Sequence, residues 1–282
     1  MALLQKAYLG ATPLFRDNPW FANAGNLQFD NATVTAAGTA NTKGGYMEII
    51  ASTSSSATLL LAFVRSLSAN GVNTAALMDI ATGASSFETI IAADVAVGSH
   101  GAPANLASAS GDSPIITIPF KIPASTRLSA RIQCATASRT CDILFAVLDY
   151  GDYETAPTSV DVIGGNTANS NGVGLDTSGS WTEIISSTTR AYRAVVMVPS
   201  MASDVRASSQ NGTYELGVGA GGSEIAFGLM DMRFGSSEQI LAFQPSVSLF
   251  SRAIPAGSRL AVRQNVTTTN PSELQATLIG IP

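Results

Sequence analysis

Three blocks of this sequence occur twice, in the same order and at nearly the same spacing. Gly45-Tyr46-Met47-Glu48-Ile49-Ile50-Ala51-Ser52 lines up with Ser180-Trp181-Thr182-Glu183-Ile184-Ile185-Ser186-Ser187 at an offset of 135. The stretch Asp79 to Glu88 lines up with Glu215 to Glu224 at an offset of 136, which sets Gly83 on Gly219 and Glu88 on Glu224. Ile122-Pro123-Ala124-Ser125-Thr126-Arg127-Leu128 lines up with Ile254-Pro255-Ala256-Gly257-Ser258-Arg259-Leu260 at an offset of 132, and Arg131 then falls on Arg263. One such match is within reach of chance; three collinear ones mark a tandem duplication. Whatever fold the chain adopts, it must be made twice, in units of about 110 to 120 residues, which is enough for a core of ordinary domain size.

Alternation of apolar and polar residues sets the local structure within each unit. In Ile115-Ile116-Thr117-Ile118-Pro119-Phe120-Lys121-Ile122, the residues Ile116, Ile118, Phe120 and Ile122 share one face. In Arg127 to Cys134, Leu128, Ala130, Ile132 and Cys134 do the same. Ala194-Val195-Val196-Met197-Val198 is continuously apolar and bounded by Pro199, as a central strand is. Gly, Ser, Thr, Asn and Pro clusters break the chain at short intervals, and no segment carries the stripe of a long amphipathic helix. The expected fold is all-β: two tandem β-sandwich repeats of jelly-roll type with an N-terminal extended arm, an immunoglobulin-like sandwich being the second choice. The expected boundaries are an arm over 1–37, a first sandwich over 38–155, a linker over 156–172 and a second sandwich over 173–282. The linker contains Gly164-Gly165-Asn166-Thr167-Ala168-Asn169-Ser170-Asn171-Gly172, which is loop composition. Gly219-Ala220-Gly221-Gly222-Ser223-Glu224 suits a hairpin or a tight turn between sheets.

Composition excludes several classes of function. Charged residues make up 12% of the chain, against roughly 25% in ordinary globular domains. The net charge is −5, which argues against nucleic-acid binding through a basic patch. No apolar run approaches the roughly 18 to 20 residues of a membrane span, and the first ten residues lack the pattern of a secretory signal. The expectation is no nucleic acid, no membrane, no metal and no cofactor.

Candidate chemical groups are few. There is one histidine, His100, in a loop-like context with no nucleophile or acid to complete a catalytic set. Asp149-Tyr150-Gly151-Asp152-Tyr153-Glu154 is the densest acidic cluster, yet it lacks the ligand spacing of an EF-hand loop and reads first as an exposed turn. Cys134 and Cys141 flank what looks like a hairpin tip. A disulfide across it is one reading; two buried thiols is the favoured one, because Val266 stands where Cys134 does. The glycines from Gly217 to Gly222 lack the Lys-Ser/Thr of a phosphate loop. Glu48 with Glu183 and Glu88 with Glu224 split between the repeats, which suits a structural role copied with the fold and not a catalytic carboxylate pair. Arg127 and Arg259, with Arg131 and Arg263, lie opposite the apolar faces of their strands; they either pair with those glutamates or bind a neighbouring subunit. Phe15, Trp20 and Phe21 make the arm aromatic, a candidate anchor on a neighbour or a pad against its own repeat.

The run Trp181-Thr182-Glu183-Ile184, then Glu215 to Glu224, then Ile254-Pro255-Ala256-Gly257-Ser258-Arg259-Leu260 resembles a module of virion proteins from tailed bacteriophages. Lys6-Ala7-Tyr8-Leu9-Gly10-Ala11-Thr12-Pro13 is similar to short openings of phage tail and fibre proteins. The first repeat departs from the pattern, with Tyr46 for the tryptophan and Ser85-Ser86-Phe87 for Gly-Gly-Ser. The resemblance implies a non-enzymatic part of the virion exterior, a head decoration or a tail, fibre or neck component. It would be located in the virion and act as a homo-oligomer through contacts with other virion proteins. A carbohydrate-binding module or adhesin is the alternative, and a glycan hydrolase the third reading, the latter needing two carboxylates facing one cleft.

Overall fold

The computed structural model describes residues 27–65, 75–97, 115–149, 153–176, 178–201, 210–234, 249–265 and 274–282. These residues form strands, turns and one 3-10 turn at Tyr153–Thr155. The first eight strands are β1 (Leu27–Thr35), β2 (Met47–Ile50), β3 (Ala57–Arg65), β4 (Ala76–Thr82), β5 (Thr89–Ala96), β6 (Ile116–Ile122), β7 (Leu128–Cys134) and β8 (Thr140–Leu148). They pair antiparallel into two sheets of order β1-β8-β3-β6 and β2-β7-β4-β5. The chain crosses between the sheets at almost every step, which is the jelly-roll path.

The remaining strands are β9 (Asp161–Ile163), β10 (Val173–Gly174), β11 (Thr182–Ile185), β12 (Tyr192–Met201), β13 (Gln210–Val218), β14 (Ile225–Phe234), β15 (Leu249–Ile254), β16 (Leu260–Asn265) and β17 (Leu274–Ile281). Their sheets are β10-β17-β12-β15, with β9 also on β17, and β11-β16-β13-β14. This is the first order repeated, with β9 and β10 together in the place of β1. The fold is therefore all-β and jelly-roll in both halves.

Strand chemistry follows the alternation. In β6, Ile116, Ile118, Phe120 and Ile122 point into the core and the residues between them are half-exposed. Pro119 is tolerated because β6 is an edge strand and needs no donor on its free side. Pro199 does not end its strand as expected: β12 runs to Met201. It pairs with β17 along its length, but β15 reaches only from Tyr192 to Val196, so the ladder on that side has already stopped before the proline.

Three expectations need correcting. Residues 27–35 belong to the first sandwich and not to the arm, since β1 pairs with β8 from Leu27↔Leu148 to Thr35↔Thr140. Its weak pattern, with polar Asp30 and Asn31 at its centre, is what a half-covered edge strand permits. The stretch 156–172 is no plain linker, since Val160, Ile163 and Ser170 are buried and β9 pairs with β17. Finally, Cys134 and Cys141 do not flank a hairpin tip. β7 pairs with β2 and β4, whereas β8 pairs with β1 and β3, so the turn between them crosses from one sheet to the other. Both thiols are free and buried, and burial, the main cause, pushes both up from their ordinary range.

The two sandwiches share a core. The outer face of the β10-β17-β12-β15 sheet carries Ala194, Val196, Val198, Ile279 and Ile281, which are buried in one cluster with Val95 and Val97 of the first repeat and with the inner residues of β5 and β6. One sheet face of the second repeat thus closes the open flank of the first, where β5 and β6 are the edges. The Thr277 hydroxyl accepts a buried hydrogen bond from the Ala96 amide across this seam.

Candidate functional site

The residues singled out by the duplication form a clasp, built twice. In the first repeat the Arg127 guanidinium donates from Nε to Glu48 Oε2 at 2.8 Å, and from Nη1 to Glu88 Oε1 at 3.2 Å and to the Gly83 carbonyl at 3.1 Å. In the second, Arg259 donates from Nε to Glu183 at 2.6 Å, and from Nη1 to Glu224 at 2.7 Å and the Gly219 carbonyl at 3.2 Å. Strand register places each arginine between its partners: β7 and β16 each lie beside the strand that carries the outer glutamate. Gly83 and Gly219 open the turns that deliver the inner one. Both have positive φ, at 105° and 133°, and a side chain on either would collide with a backbone oxygen four residues on.

A second ring of charge repeats beside the clasp. Arg131 Nε meets Asp79 at 2.8 Å and stacks on the Tyr46 ring at 4.5 Å. Arg263 meets Glu215 at 2.6 Å and stacks on Trp181 at 4.6 Å. The residues of these two rings were paired by alignment; Arg127 and Arg259 meet the aligned glutamates, whereas Arg131 and Arg263 meet Asp79 and Glu215. The electrostatics agree. Burial opposes ionisation of Glu88 and Glu224, but backbone N–H groups and the facing arginine outweigh it and hold both below the usual carboxylate range. Hydrogen bonds from Arg259 to Glu183 and Glu224 hold that guanidinium above its usual value. These groups neutralise one another within the fold, which is the chemistry of a brace.

A third repeated element lay one residue past the aligned block. The Thr53 hydroxyl donates to Pro123 O at 2.8 Å and accepts from Thr126 N at 3.0 Å. Thr188 does the same with Pro255 and Ser258 at 3.0 and 3.1 Å. Extending the first alignment by one position finds this pair.

The seam between the repeats was not legible from the duplication, because its residues are not duplicated. Nine residues, 164–172, stand in the second repeat where the register of the first leaves room only for Asn31. This excursion reaches back to the first repeat. Gln133 Nε2 donates to Thr167 O at 2.7 Å and Ser170 Oγ at 3.0 Å, and Ser170 donates to Asn41 at 2.8 Å. Lys43 bridges Asp79 and Asp94, each at 2.8 Å. Burial pulls the Lys43 pKa down, yet the two carboxylates more than offset it. Beside the seam runs a cleft of about 540 Å³ lined by Ile90, Asp94, Asp161, Ile185, Thr189 and Tyr192, among others. Its carboxylates are engaged: Asp161 accepts from Arg190 at 2.6 and 2.8 Å and from the Tyr192 hydroxyl at 2.9 Å.

The other candidates are dispersed. Phe15, Trp20, Phe21 and His100 lie outside the described residues. In the acidic cluster, Glu154 pairs with Lys121 at 2.9 Å and Lys121 covers the Tyr153 ring at 4.4 Å. Among the described residues, no group of three His, Cys, Asp or Glu side chains is placed to hold a metal ion. Large apolar side chains stand out in solvent on the strands and turns beyond the clasps. Phe87 is 81% exposed, Ile225 60% and Leu229 56%.

No family model matches the chain, and no curated protein matches it. Among solved structures, the STIV MCP is similar over 91% of this chain and 96% of its own, at 8% identity and a TM-score of 0.35. A peptide-N(4)-(N-acetyl-β-D-glucosaminyl) asparagine amidase is similar over 90% and 96%, also at 8% identity and 0.35. The CBM22-1–CBM22-2 tandem domain of Paenibacillus barcinonensis Xyn10C is similar over 92% of each chain, at 10% identity and 0.23. At TM-scores this low, none of the three bears on what this chain does.

Proposed function

We propose that this chain is a structural, non-enzymatic part of a tailed-phage virion, an accessory exterior component of head or tail that works by protein–protein contact and assembles in multiple copies. One observation carries the reading: the two repeats pack against each other through apolar surface, and the edge strand β14 presents further apolar side chains to solvent. The β5/β6 flank of the first repeat is closed by a sheet face of the second. In the second repeat, Ile225 and Leu229 of the edge strand β14 project into solvent. Exposed apolar side chains on an edge strand suit an assembly contact. The charged groups that might otherwise do chemistry are spent on the duplicated braces, which supports a contact role over turnover.

The test is incorporation. Replacing Ile225 and Leu229 with arginine changes two side chains already in water, so both sandwiches should keep their stability. Particles assembled with the double variant are expected to lose this protein, as read by labelling it on intact virions. Particles that carry the variant at the normal level would remove the edge strand β14 from the assembly contact. Purified particles that lack the unaltered protein would remove the virion reading itself.

A further inference from the structure

The ring of Arg131 and Asp79 carries an addition that the second repeat lacks. The Lys43 ammonium donates to both oxygens of Asp79, at 2.8 Å each, and meets Asp94 Oδ1 at 2.8 Å. In the second repeat Glu215 stands where Asp79 does and meets Arg263. There Ser178 stands where Lys43 does, and the residue opposite Glu215 in the ladder is Leu229. A brace thus needs one arginine and one acid; the lysine and the second acid of the first repeat are surplus to it.

Local structure holds the added groups in place. The backbone is fixed on both sides of Lys43: the Asn41 amide donates to Cys134 O at 2.8 Å and the Gly44 amide to Ile132 O at 2.9 Å. Strand β5 bulges opposite Asp79. Met78 pairs with Val95 and Ile80 with Ala92, so Ala93 and Asp94 together face one residue. A bulge re-aims the side chain it carries, and this one, with Asp94 at a left-handed φ of 60°, sets Asp94 against Lys43. Equal distances to both oxygens put Nζ within about 3 Å of Asp79 Cγ, the separation of a near-attack pair. Donors already lie on those oxygens: Arg131 Nε on Oδ2 at 2.8 Å and the Asp94 amide on Oδ1 at 2.9 Å. Donors aimed in this way stabilise the charge that gathers on the oxygens when the carbon is attacked. Asp94 touches the same nitrogen and is placed to take its proton. The Asp79 side chain is 1% exposed, so a bond made there is kept from water.

We propose that Lys43 and Asp79 condense into an isopeptide bond within the chain, with Asp94 carrying the proton. The resting pair is charged, because the two carboxylates hold the ammonium protonated. One proton passes from Nζ to Asp94, and the freed electron pair attacks Cγ. The Nζ–Cγ bond forms and one Cγ–O bond of Asp79 breaks. That oxygen leaves as water, taking a second nitrogen proton and the proton held by Asp94. An ammonium and a carboxylate become a neutral amide and one water, and nothing is oxidised or reduced. The bond ties the connection between β1 and β2 to β4, an interior strand of its sheet.

Mass spectrometry of the intact full chain decides. The chain is expected to weigh one water less than its sequence, and proteolysis should release a branched peptide joining Lys43 to Asp79. Lys43→Arg keeps the positive charge but removes the amine, so that variant should have its full sequence mass. Asp94→Asn should give a smaller branched fraction than the unaltered chain after equal incubation. An unaltered chain at full sequence mass, with Lys43 and Asp79 recovered on separate peptides, overturns the proposal. A missing water confined to a single unbranched peptide, as in a cyclic imide of aspartate, overturns it too. An equal branched fraction in Asp94→Asn overturns the proton-carrying part given to Asp94.

Discussion

The two repeats keep the charges of the clasp and redistribute the volumes of the core. Where the first repeat has Ala57 on β3 and Val147 on β8, the register gives the second Tyr192 and Gly280. A Cβ on Gly280 would lie 2.6 Å from the Tyr192 ring. Where the first has Tyr46 and Ala81, the second has Trp181 and Gly217, and a Cβ on Gly217 would lie 2.7 Å from the indole. Both times the larger side chain faces a glycine. The pinning of the loop before the third strand changes too. In the first repeat Gln28 holds it, donating to Ser52 O at 3.0 Å and accepting from Ser54 N at 2.7 Å. In the second, Asp161 stands at that register position and binds Arg190 and Tyr192. Core volume is thus conserved pair by pair while identity drifts, and the Arg–Glu–Glu clasp, which cannot drift one member at a time, stays whole.

The comparison breaks most readily at Gly280. Gly280→Val forces a branched side chain into the Tyr192 ring and should cost about 3 kcal/mol, as overpacking of a closed core does. Tyr192→Ala alone leaves a cavity and also removes a hydroxyl bond to Asp161, at a similar cost of about 3 to 5 kcal/mol. The double variant restores the first repeat's arrangement. Denaturant unfolding should show it less destabilised than the sum of the singles by at least about 1 kcal/mol; strict additivity would mean the two sites do not share the volume. Gly217→Ala is the milder form of the same test, at about 2 kcal/mol. Trp181→Tyr in the same chain should recover part of that loss in the unfolding midpoint.

The clasp sharpens the comparison from the other side. Removing Arg259 leaves Glu224, whose side chain is 2% exposed, without its ion pair, whereas removing Arg127 leaves the somewhat less buried Glu88. Arg259→Met should therefore lower the melting temperature more than Arg127→Met does. Acid should act on both clasps. Glu88 and Glu224 sit below their ordinary value of 4.5 in the folded chain. Their contribution is thus fully present above that pH and is lost as pH falls through the depressed folded values. Melting temperature should be level near neutrality and fall below about pH 4.5, the ordinary carboxylate range. Arg259→Met should flatten part of the fall; an unchanged acid limb would show that the clasp does not carry it.

How much of this was legible in the sequence depends on whether a residue was copied. Glu48, Glu88, Arg127 and their partners Glu183, Glu224 and Arg259 were found by alignment because the clasp needs all its members, so both copies retain them. Gly83 and Gly219 were found for the same reason, since each turn needs positive φ. The jelly-roll strands were legible where alternation is strong, as in β6 and β7. The edge strand β1 was missed, because a strand covered on one side tolerates Asp30 and Asn31 and so looks like loop. The seam was missed altogether. Ser170 and Gln133 have no counterparts doing the same work in the other repeat, and their meeting depends on how two finished sandwiches sit together.

The smallest difference between the repeats lies in the backbone of two turns. Ser86 and Ser125 adopt left-handed φ of 71° and 61°, and the matching positions in the second repeat are Gly222 and Gly257, both at 80°. A non-glycine residue in that region carries a strain of about 1 to 2 kcal/mol, against which glycine loses roughly 0.5 to 1 kcal/mol of chain entropy on folding. The two nearly cancel, so Ser125→Gly should raise stability by only about 0.5 kcal/mol, and Gly257→Ser should lower it by about the same. Ser125 also has a backbone role, since its amide donates to Thr53 O at 2.8 Å, and the Gly257 amide donates to Thr188 O at the same distance. Neither substitution removes that bond. A change well beyond this size in either variant would mean that the serine side chain, and not its backbone angle, sets the turn, and that the two repeats differ there in mechanism as well as in residue.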